Sequence, residues 1–169
     1  MKSLVLSLLF TVTYISTVAC ACQSGWTGFR DSCYQFNVDN KQSWNDAKNA
    51  CHKEHATLVA IETQEESDFI ADHLKTLISS SDIHHDSASS VWIGGSDNDT
   101  EGFWKWTDIN QLILEYTNWA PGEPDTGAGD HDEDCIGVVG KQHFQWQDRR
   151  CSESHSYVCE LINGSHAVG

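Results

Sequence analysis

The stretch EPDTGAGDHDEDCIGVVGKQHFQWQD, residues 123–148, concentrates negative charge in one part of the chain. Its carboxylates are Glu123, Asp125, Asp130, Asp132, Glu133, Asp134 and Asp148. So many anions repel one another unless a cation lies between them, and calcium takes its oxygen ligands from irregular, glycine-containing loops. A solvated acidic loop is the alternative interpretation, but Pro124 and the cysteines Cys135 and Cys151 indicate a rigid segment. The stretch therefore predicts a calcium site.

The beginning of the chain, residues 1–21, is typical of a secretory signal peptide. The mostly apolar run at 4–18 is too short to span a membrane as a helix. Ala19-Cys20-Ala21 fits a small-residue cleavage site. Cleavage there removes Cys20 and leaves an even number of cysteines, which indicates disulfides in a secreted chain. We therefore expect a secreted, extracellular protein without membrane insertion.

The formal net charge of −15 argues against nucleic acid or anionic membranes as partners. It suits an acidic extracellular protein that binds cations. Two sequons, at Asn98 and Asn163, permit N-glycosylation.

Local patterns in the first half predict a strand followed by two helices. The aromatic-rich segment 22–36 indicates a strand with a hairpin. Ser43 is placed to cap a helix over 44–55, whose apolar residues fall on one face. Thr63 and Glu66 form a capping box that starts a second helix, ending near residue 78.

The second half lacks regular periodicity until its end. A short apolar run at 91–94 is of strand type. No element is predicted across 95–134, and a loop of that length inside a compact domain is usually functional. Closing strands are predicted at 135–139, 144–146 and 157–161. The tail 162–169 is expected to be flexible, and the whole set of elements is that of an α+β domain.

Several landmarks occur in an order and spacing that match a known family. They are Gly25-Trp26, Ser32-Cys33-Tyr34, Trp92-Ile93-Gly94-Gly95, Glu123-Pro124-Asp125, Glu133-Asp134-Cys135, Trp146-Gln147-Asp148, Cys151 and Tyr157-Val158-Cys159-Glu160. On these residues the chain resembles the long-form C-type lectin domain over residues 22–161. No single motif is decisive, but their order, their spacing and the cysteines together are highly specific.

The resemblance implies a fold and a disulfide pattern. The fold is α+β, with two helices packed on small antiparallel sheets and a long calcium-binding loop on one face. Six cysteines alone leave many pairings open. The family pattern implies the disulfides Cys22–Cys33, Cys51–Cys159 and Cys135–Cys151.

The resemblance also implies a calcium-dependent sugar site. Two neighbouring sugar hydroxyls would complete the calcium shell, and a cis bond would precede Pro124. The implied calcium and sugar ligands are Glu123, Asp125, Glu133, Gln147 and Asp148. Gln147 stands where the family normally has Asn, so its longer side chain either overshoots the metal or supplies a hydrogen-bond donor.

The tripeptide Glu-Pro-Asp departs from both common forms in this family. Glu-Pro-Asn is typical of mannose binders and Gln-Pro-Asp of galactose binders. Ionised Asp and Glu only accept hydrogen bonds, so the tripeptide provides no side-chain donor. The choice between mannose-type and galactose-type glycans therefore stays open.

A second, structural calcium is common in the resembling family. The residues that match four of its ligand positions are Asp97, Glu101, Glu133 and Asp134. Thr126 stands where an acid is usual. This predicts weaker binding there, or recruitment of Asp130 or Asp132.

The tryptophans are predicted to serve the core or a ligand groove, and the histidines are not predicted to bind a metal. Buried aromatics dominate core packing, which predicts core positions for Trp92, Trp104, Trp106 and Trp146. Trp119, beside the tripeptide, is the candidate for lining a ligand groove. The histidines lack an HExxH pattern and a third ligand at suitable spacing, which argues against zinc.

Together with the signal peptide, the resemblance implies a secreted, non-catalytic lectin that binds glycans through calcium, by family analogy in innate recognition of microbial glycans. An enzyme is disfavoured because the carboxylates crowd together and no serine stands in a nucleophile elbow. The alternative is a protein- or mineral-binding member of the same fold that uses its acidic face without sugar. Homo-oligomerisation would add avidity, although no coiled-coil segment is present.

Overall fold

The computed structural model describes residues 22–80, 90–125 and 133–162. The predicted signal peptide and the sequon at Asn163 lie outside these ranges. The described part begins with an antiparallel pair, β1 (Thr27–Phe29) and β2 (Ser32–Gln42). This pair is the predicted hairpin.

Helix α1, Trp44–Lys53, begins where the sequence indicated. Ser43 caps it, because its Oγ accepts a hydrogen bond of 3.2 Å from the Asp46 N–H. Trp44, Ala47 and Cys51 are buried on one face. The helix ends two residues before the predicted position 55, because His55 adopts a left-handed conformation with φ of 59°.

Helix α2, Gln64–Ser80, also begins at the predicted position, but its capping box is only half formed. Thr63 Oγ1 accepts a hydrogen bond of 3.2 Å from the Glu66 N–H. The Glu66 carboxylate does not return to Thr63; it accepts instead from the Glu62 N–H at 3.0 Å and from the Tyr34 hydroxyl at 2.7 Å. The side chain that was predicted to cap the helix therefore ties it to β2.

The remaining strands join β1 and β2 in one connected sheet. They are β3 (Thr57–Leu58), β4 (Ser90–Ser96), β5 (Lys105–Trp106), β6 (Gln111–Leu112), β7 (Cys135–Val139), β8 (Gln145–Arg149) and β9 (His155–Ile162). The order is β1-β2-β9-β4-β5-β6, with β3 paired to β9, β7 to β4, and β8 to β7. Both helices and this sheet confirm the α+β prediction.

The sheet differs in detail from the expected small antiparallel sheets. Strands β4 and β9 run parallel, with Val91 opposite Ser156. Strands β5 and β6 lie inside the range 95–134, where no element was predicted. Ile162 pairs with Ser32 and so belongs to β9 rather than to the tail.

Two hydrophobic clusters form the core. Trp92, Trp106 and Trp146 are buried as predicted, whereas Trp104 is only partly buried. Trp119 is also partly buried, with its ring centroid 5.0 Å from that of Trp104 and 5.6 Å from that of Trp146. The predicted groove residue Trp119 therefore packs on the core with part of its ring.

Strand β4 crosses the core at close range. A Cβ added to Gly94 would lie 2.7 Å from the Leu58 carbonyl oxygen, which is too close for any side chain. The Gly94 N–H donates to the Val59 carbonyl at 2.8 Å. Further along, Asn98 lies exposed in the turn after β4, where a glycan would meet no steric barrier from burial.

The three predicted disulfides, Cys22–Cys33, Cys51–Cys159 and Cys135–Cys151, are all present. The second joins α1 to β9 across 108 residues of sequence. A closed loop of that length stabilises the fold by about 4–5 kcal/mol in the chain-entropy model. The third connects β7 to the segment that follows β8.

Candidate functional site

The predicted calcium ligands lie on a loop and on strand β8, which main-chain hydrogen bonds hold together. The Trp146 N–H donates to the Asn118 carbonyl at 2.7 Å, and the Ala120 N–H donates to the Trp146 carbonyl at 2.9 Å. The Glu123 N–H then donates to the Ala120 carbonyl at 2.9 Å. These bonds fix the loop that carries Glu123 beside the strand that carries Asp148. The Glu123–Pro124 bond is cis, as the resemblance implied.

Three of the predicted ligands form one cluster, which we call the carboxylate trio: Glu123, Asp125 and Asp148. Each contributes an oxygen, and these oxygens all lie within 4.8 Å of one another. Asp125 is exposed, Glu123 is partly buried and Asp148 is only 6% exposed. The trio is thus open to solvent at one end and closed at the other, as a ligand-accessible metal site requires.

Asp148 is the most perturbed member of the trio. Burial, followed by its hydrogen bond with the Glu123 carboxylate, raises the pKa of Asp148 to about 7. Within the ranges that the structure describes, no hydrogen-bond donor reaches Asp148 Oδ1. A buried carboxylate oxygen without a donor costs free energy, and a divalent cation bound there would remove both this cost and the repulsion within the trio.

Glu133 and Gln147, the other two predicted ligands, do not belong to this cluster of carboxylate oxygens. Glu133 is partly buried, and burial, followed by the charges of Asp148 and Asp125, raises the pKa of Glu133. Gln147 is partly buried on β8, opposite Gly137 of β7. The roles of both residues as calcium ligands stay predictions.

The residues of the predicted second site gather around Asp97, which is 2% exposed. Asp97 Oδ2 accepts a hydrogen bond of 2.8 Å from the Gly102 N–H, and the Asp97 N–H donates to the Asp134 carbonyl at 3.2 Å. Burial raises the pKa of Asp97 to about 6, with further contributions from the charges of Glu101 and Asp134.

Asp97 also has an oxygen without a donor. No donor in the described part of the chain reaches its buried Oδ1. Its carboxylate does not form a group as tight as the trio with Glu101 and Asp134 in these ranges. After burial, the carboxylates whose charges most raise the pKa of Glu133 are those of Asp148 and Asp125, which belong to the trio. Thr126, Asp130 and Asp132 lie outside the described residues.

Comparison with known proteins decides the family. Residues 40–161 match the family model described as the Lectin C-type domain. The chain belongs to the C-type lectin family. It is 34% identical over 142 residues to asialoglycoprotein receptor 2 of Mus musculus, which covers 82% of this chain and 42% of the receptor. The chain thus spans less than half the length of that curated relative.

Solved structures share the C-type lectin fold over most of the chain. The mouse scavenger receptor C-type lectin carbohydrate-recognition domain is 32% identical, with a TM-score of 0.70, covering 85% of this chain and 100% of that domain. The C-type lectin domain of murine dendritic cell inhibitory receptor 2, solved in complex with N-glycan, is 29% identical with a TM-score of 0.69. Their coverage is 84% of this chain and 99% of that one.

The fold is also shared by a protein whose structure was solved under a different description. A calcium-independent type II antifreeze protein is 26% identical, with a TM-score of 0.67, covering 84% of this chain and 95% of that protein. In this chain, none of the described helices is long and apolar enough to cross a bilayer.

Some residues of this lectin domain were not anticipated from the sequence. The main chain of Asn118 and Ala120 aligns the trio, but main-chain hydrogen bonds leave no residue signature at these positions. Glu66 and Glu160 are buried carboxylates outside the site. The sequence shows that a tyrosine is available to bond Glu66 and that Glu160 falls on a predicted strand. Neither feature by itself indicates that the carboxylate is buried.

Proposed function

We propose that this chain is a secreted, calcium-dependent carbohydrate-binding lectin that recognises glycans without catalysis. The carboxylate trio supports the proposal, because it brings three acidic side chains together and includes Asp148, whose buried Oδ1 has no donor among the described residues. Hard oxygen ligands of this kind are the ones calcium takes in proteins. The predicted signal peptide supports secretion, and a role in innate recognition of microbial glycans follows by family analogy.

Each residue of the trio has a distinct part in holding the ion. Asp148 is buried and provides the fixed ligand at the closed end, on a strand whose register is set by β7. Glu123 and Asp125 provide ligands at the end that faces solvent. We assign Glu133 and Gln147 as the remaining side-chain ligands. A bound calcium supplies coordination positions for two neighbouring sugar hydroxyls.

The acidic ligands also determine the direction of hydrogen bonds to sugar. Ionised Glu123 and Asp125 only accept, so each sugar hydroxyl that contacts them must donate. Gln147 is the amide in the predicted ligand set and is therefore the candidate donor to a sugar oxygen. Because this pattern matches neither common tripeptide, both mannose-type and galactose-type glycans belong in the test.

We assign a second calcium to Asp97, Glu101, Glu133 and Asp134. Support comes from the buried Asp97 oxygen without a donor and from the acidic groups that raise the pKa of Asp97. An ion there would neutralise the segment that leads into Cys135. It would therefore stabilise the start of β7, which pairs with the strand carrying Asp148.

The second candidate function is protein or mineral binding on the same acidic face. The similarity to a calcium-independent antifreeze protein favours keeping it. It predicts binding that free sugar does not displace.

A glycan array tests the proposal. Mature, oxidised protein is applied with calcium and again with EDTA, alongside the variant Glu123→Gln with Asp125→Asn. A matched control is Asp39→Asn with Glu54→Gln, which removes two carboxylates from exposed positions. We expect calcium-dependent spots for the wild type and the control and none for the site variant. A blank array for a wild type that still binds calcium would instead support the second candidate.

A further inference from the structure

A polar groove of about 930 Å³, which we call the α1 groove, shares no residue with the carboxylate trio. It lies between α1 and the turn that joins β8 to β9. The residues that matter for its chemistry are Lys41, Asn49, His52, Lys53, Ser152 and Ser154. The groove is shallow and open to solvent, so a ligand would contact it along one side.

The α1 groove holds two lysines that are not committed elsewhere. Lys41 and Lys53 are exposed, and neither forms a salt bridge within the described residues. Five other cations of the described part do form salt bridges with carboxylates: Arg30, Lys48, Lys75, Lys105 and Arg149. The α1 groove therefore presents two ammonium groups without a salt-bridge partner among the described residues, although the chain has a net charge of −15.

One carboxylate, Asp46, lines the groove and is outnumbered by the two lysines. Asp46 lies in the first turn of α1, where the helix dipole favours a negative charge. Its Oδ2 accepts a hydrogen bond of 2.7 Å from Ser43 Oγ. His52, on the last turn, places its Nε2 2.8 Å from Asp108 Oδ1. The two lysines therefore leave the groove with a local excess of positive charge.

The walls of the groove are rigid. The Trp44 N–H donates to the Cys151 carbonyl at 3.0 Å, which joins the start of α1 to the turn after β8. Disulfides anchor both walls, one at Cys51 in α1 and one at Cys151 in the turn. Glu153, between the two lining serines, is bound by Arg149 and by His155. Because these walls are already held in place, ligand binding would cost little free energy for ordering the main chain.

We propose that the α1 groove binds an anionic saccharide independently of calcium. Lys41 and Lys53 contact its sulfate or carboxylate groups, while Asn49, Ser152 and Ser154 hydrogen-bond to its hydroxyls. The lining has no Trp, Tyr or Phe on which a nucleobase could stack, which favours a saccharide over a nucleotide. The strong negative charge of the whole protein repels long polyanions, so the ligand is a short oligosaccharide.

Titration calorimetry with a fully sulfated heparin tetrasaccharide in EDTA tests the proposal. We expect binding that weakens as salt is raised, because the contacts are ionic. Lys41→Gln with Lys53→Gln should reduce affinity at least about tenfold. The control pair Lys75→Gln with Lys141→Gln loses the same charge elsewhere and should stay within about twofold of the wild type. Ser154→Glu, which adds an anion to the groove, should also weaken binding.

A second titration shows whether the groove recognises sulfate groups or carboxylate groups. A desulfated tetrasaccharide that keeps its carboxylates binds equally well if carboxylates suffice, and fails if sulfate is required; either result supports the groove. Absence of binding to both oligosaccharides, or equal losses in the two double variants, would overturn the proposal. Because EDTA is present throughout, these results do not depend on whether the carboxylate trio binds calcium and sugar.

Discussion

Two pairs of buried carboxylates lie in different parts of the fold and are satisfied in different ways. The first pair, the core carboxylates Glu66 and Glu160, are 8% and 7% exposed. The Tyr34 hydroxyl donates to Glu66 Oε1 at 2.7 Å, and the Ser32 hydroxyl donates to Glu160 Oε1 at 2.7 Å. Main-chain N–H groups donate to the other oxygen of each, at 3.0 Å and 3.3 Å.

The second pair, Asp97 and Asp148, which we call the cation-site carboxylates after the role proposed for them, are buried at least as deeply but are satisfied at only one oxygen. Each leaves its Oδ1 without a donor among the described residues. Other carboxylates lie beside them: Glu101 and Asp134 near Asp97, and Glu123 near Asp148.

The difference separates a structural role from a binding role. Protein interiors satisfy their buried polar groups almost without exception, so an unsatisfied carboxylate oxygen needs an explanation. The core carboxylates are satisfied by the protein itself and join helix α2 and the loop after β3 to the sheet. Each cation-site carboxylate keeps one oxygen without a donor among the described residues, which is the arrangement expected where an ion supplies the missing positive charge.

The largest expected effect is on calcium affinity in the variant Asp148→Asn. It keeps the shape of the side chain but removes the charge of the buried ligand, so calcium affinity should fall about 100-fold. In EDTA the same variant should unfold at a higher temperature than the wild type at pH 8, because repulsion with Glu123 is gone. Calorimetry and thermal melting measure the two effects.

Asp39→Asn is the matched control, since it removes an equal charge from an exposed position. It should leave calcium affinity within about twofold of the wild type. An Asp148→Asn protein that binds calcium like this control would contradict the assignment of the buried ligand.

The next prediction concerns pH. Burial raises the pKa of Glu160 to about 7, above its value in an unfolded chain. The folded protein therefore binds more protons than the unfolded chain between about pH 4.5 and 7, and its free energy of unfolding decreases as pH rises through this range. In EDTA, Asp148 and Asp97 act in the same direction, because their folded-state pKa values are also raised.

Calcium should change the pH dependence of stability that comes from the cation-site carboxylates and leave that of the core carboxylates unchanged. Bound ligands must be deprotonated, so stabilisation by calcium should fade as the pH falls. The contribution of Glu160 should persist with or without the ion. Urea unfolding at several pH values between 5 and 8, in calcium and in EDTA, checks both trends. Identical pH profiles in the two buffers would show that no titrating carboxylate holds the metal.

A smaller effect is expected for Glu160→Gln. The amide group replaces one carboxylate oxygen, so either the Ser32 hydroxyl or the Ala60 N–H loses its acceptor. Leaving a buried group unpaired costs about 1–3 kcal/mol of unfolding free energy. Urea denaturation measures the loss, and calcium titration should show affinity unchanged. A clear fall in calcium affinity would mean that the two carboxylate pairs are not independent.

The smallest expected effect is for Tyr34→Phe. This change removes the hydroxyl that donates to Glu66 Oε1 and keeps the aromatic ring in the core. We expect a loss of about 1–2 kcal/mol in unfolding free energy, again with calcium binding unaffected. Unchanged stability in urea would show that the Glu66 carboxylate is satisfied without the hydroxyl.

The fold was largely predictable because its markers are spread through the chain. The cysteines and the motif at Trp92 indicated the family, and the cap at Ser43 indicated where α1 begins. Strands β5 and β6 were missed because two residues each are too few to show an alternating pattern. The parallel pairing of β4 with β9 depends on contacts between distant segments, which local patterns do not report.

The candidate site was predictable at the level of residue types but not of geometry. The motif indicated Glu123, Asp125 and Asp148 as neighbours, and the structure groups them. The burial that distinguishes Asp148 from Asp125 depends on the tryptophans packed around β8 and on main-chain ties to Asn118. Charge counting alone treats the two residues as equivalent, so the fixed ligand could not be told from the exposed one.

A crystal structure of the mature protein grown with calcium would show whether the carboxylate trio holds the ion. We expect an ion in contact with side-chain oxygens of Glu123, Asp125 and Asp148, with one of the two Asp148 carboxylate oxygens among the ligands. Crystals in which calcium occupies other positions while this cluster stays free of metal would contradict it.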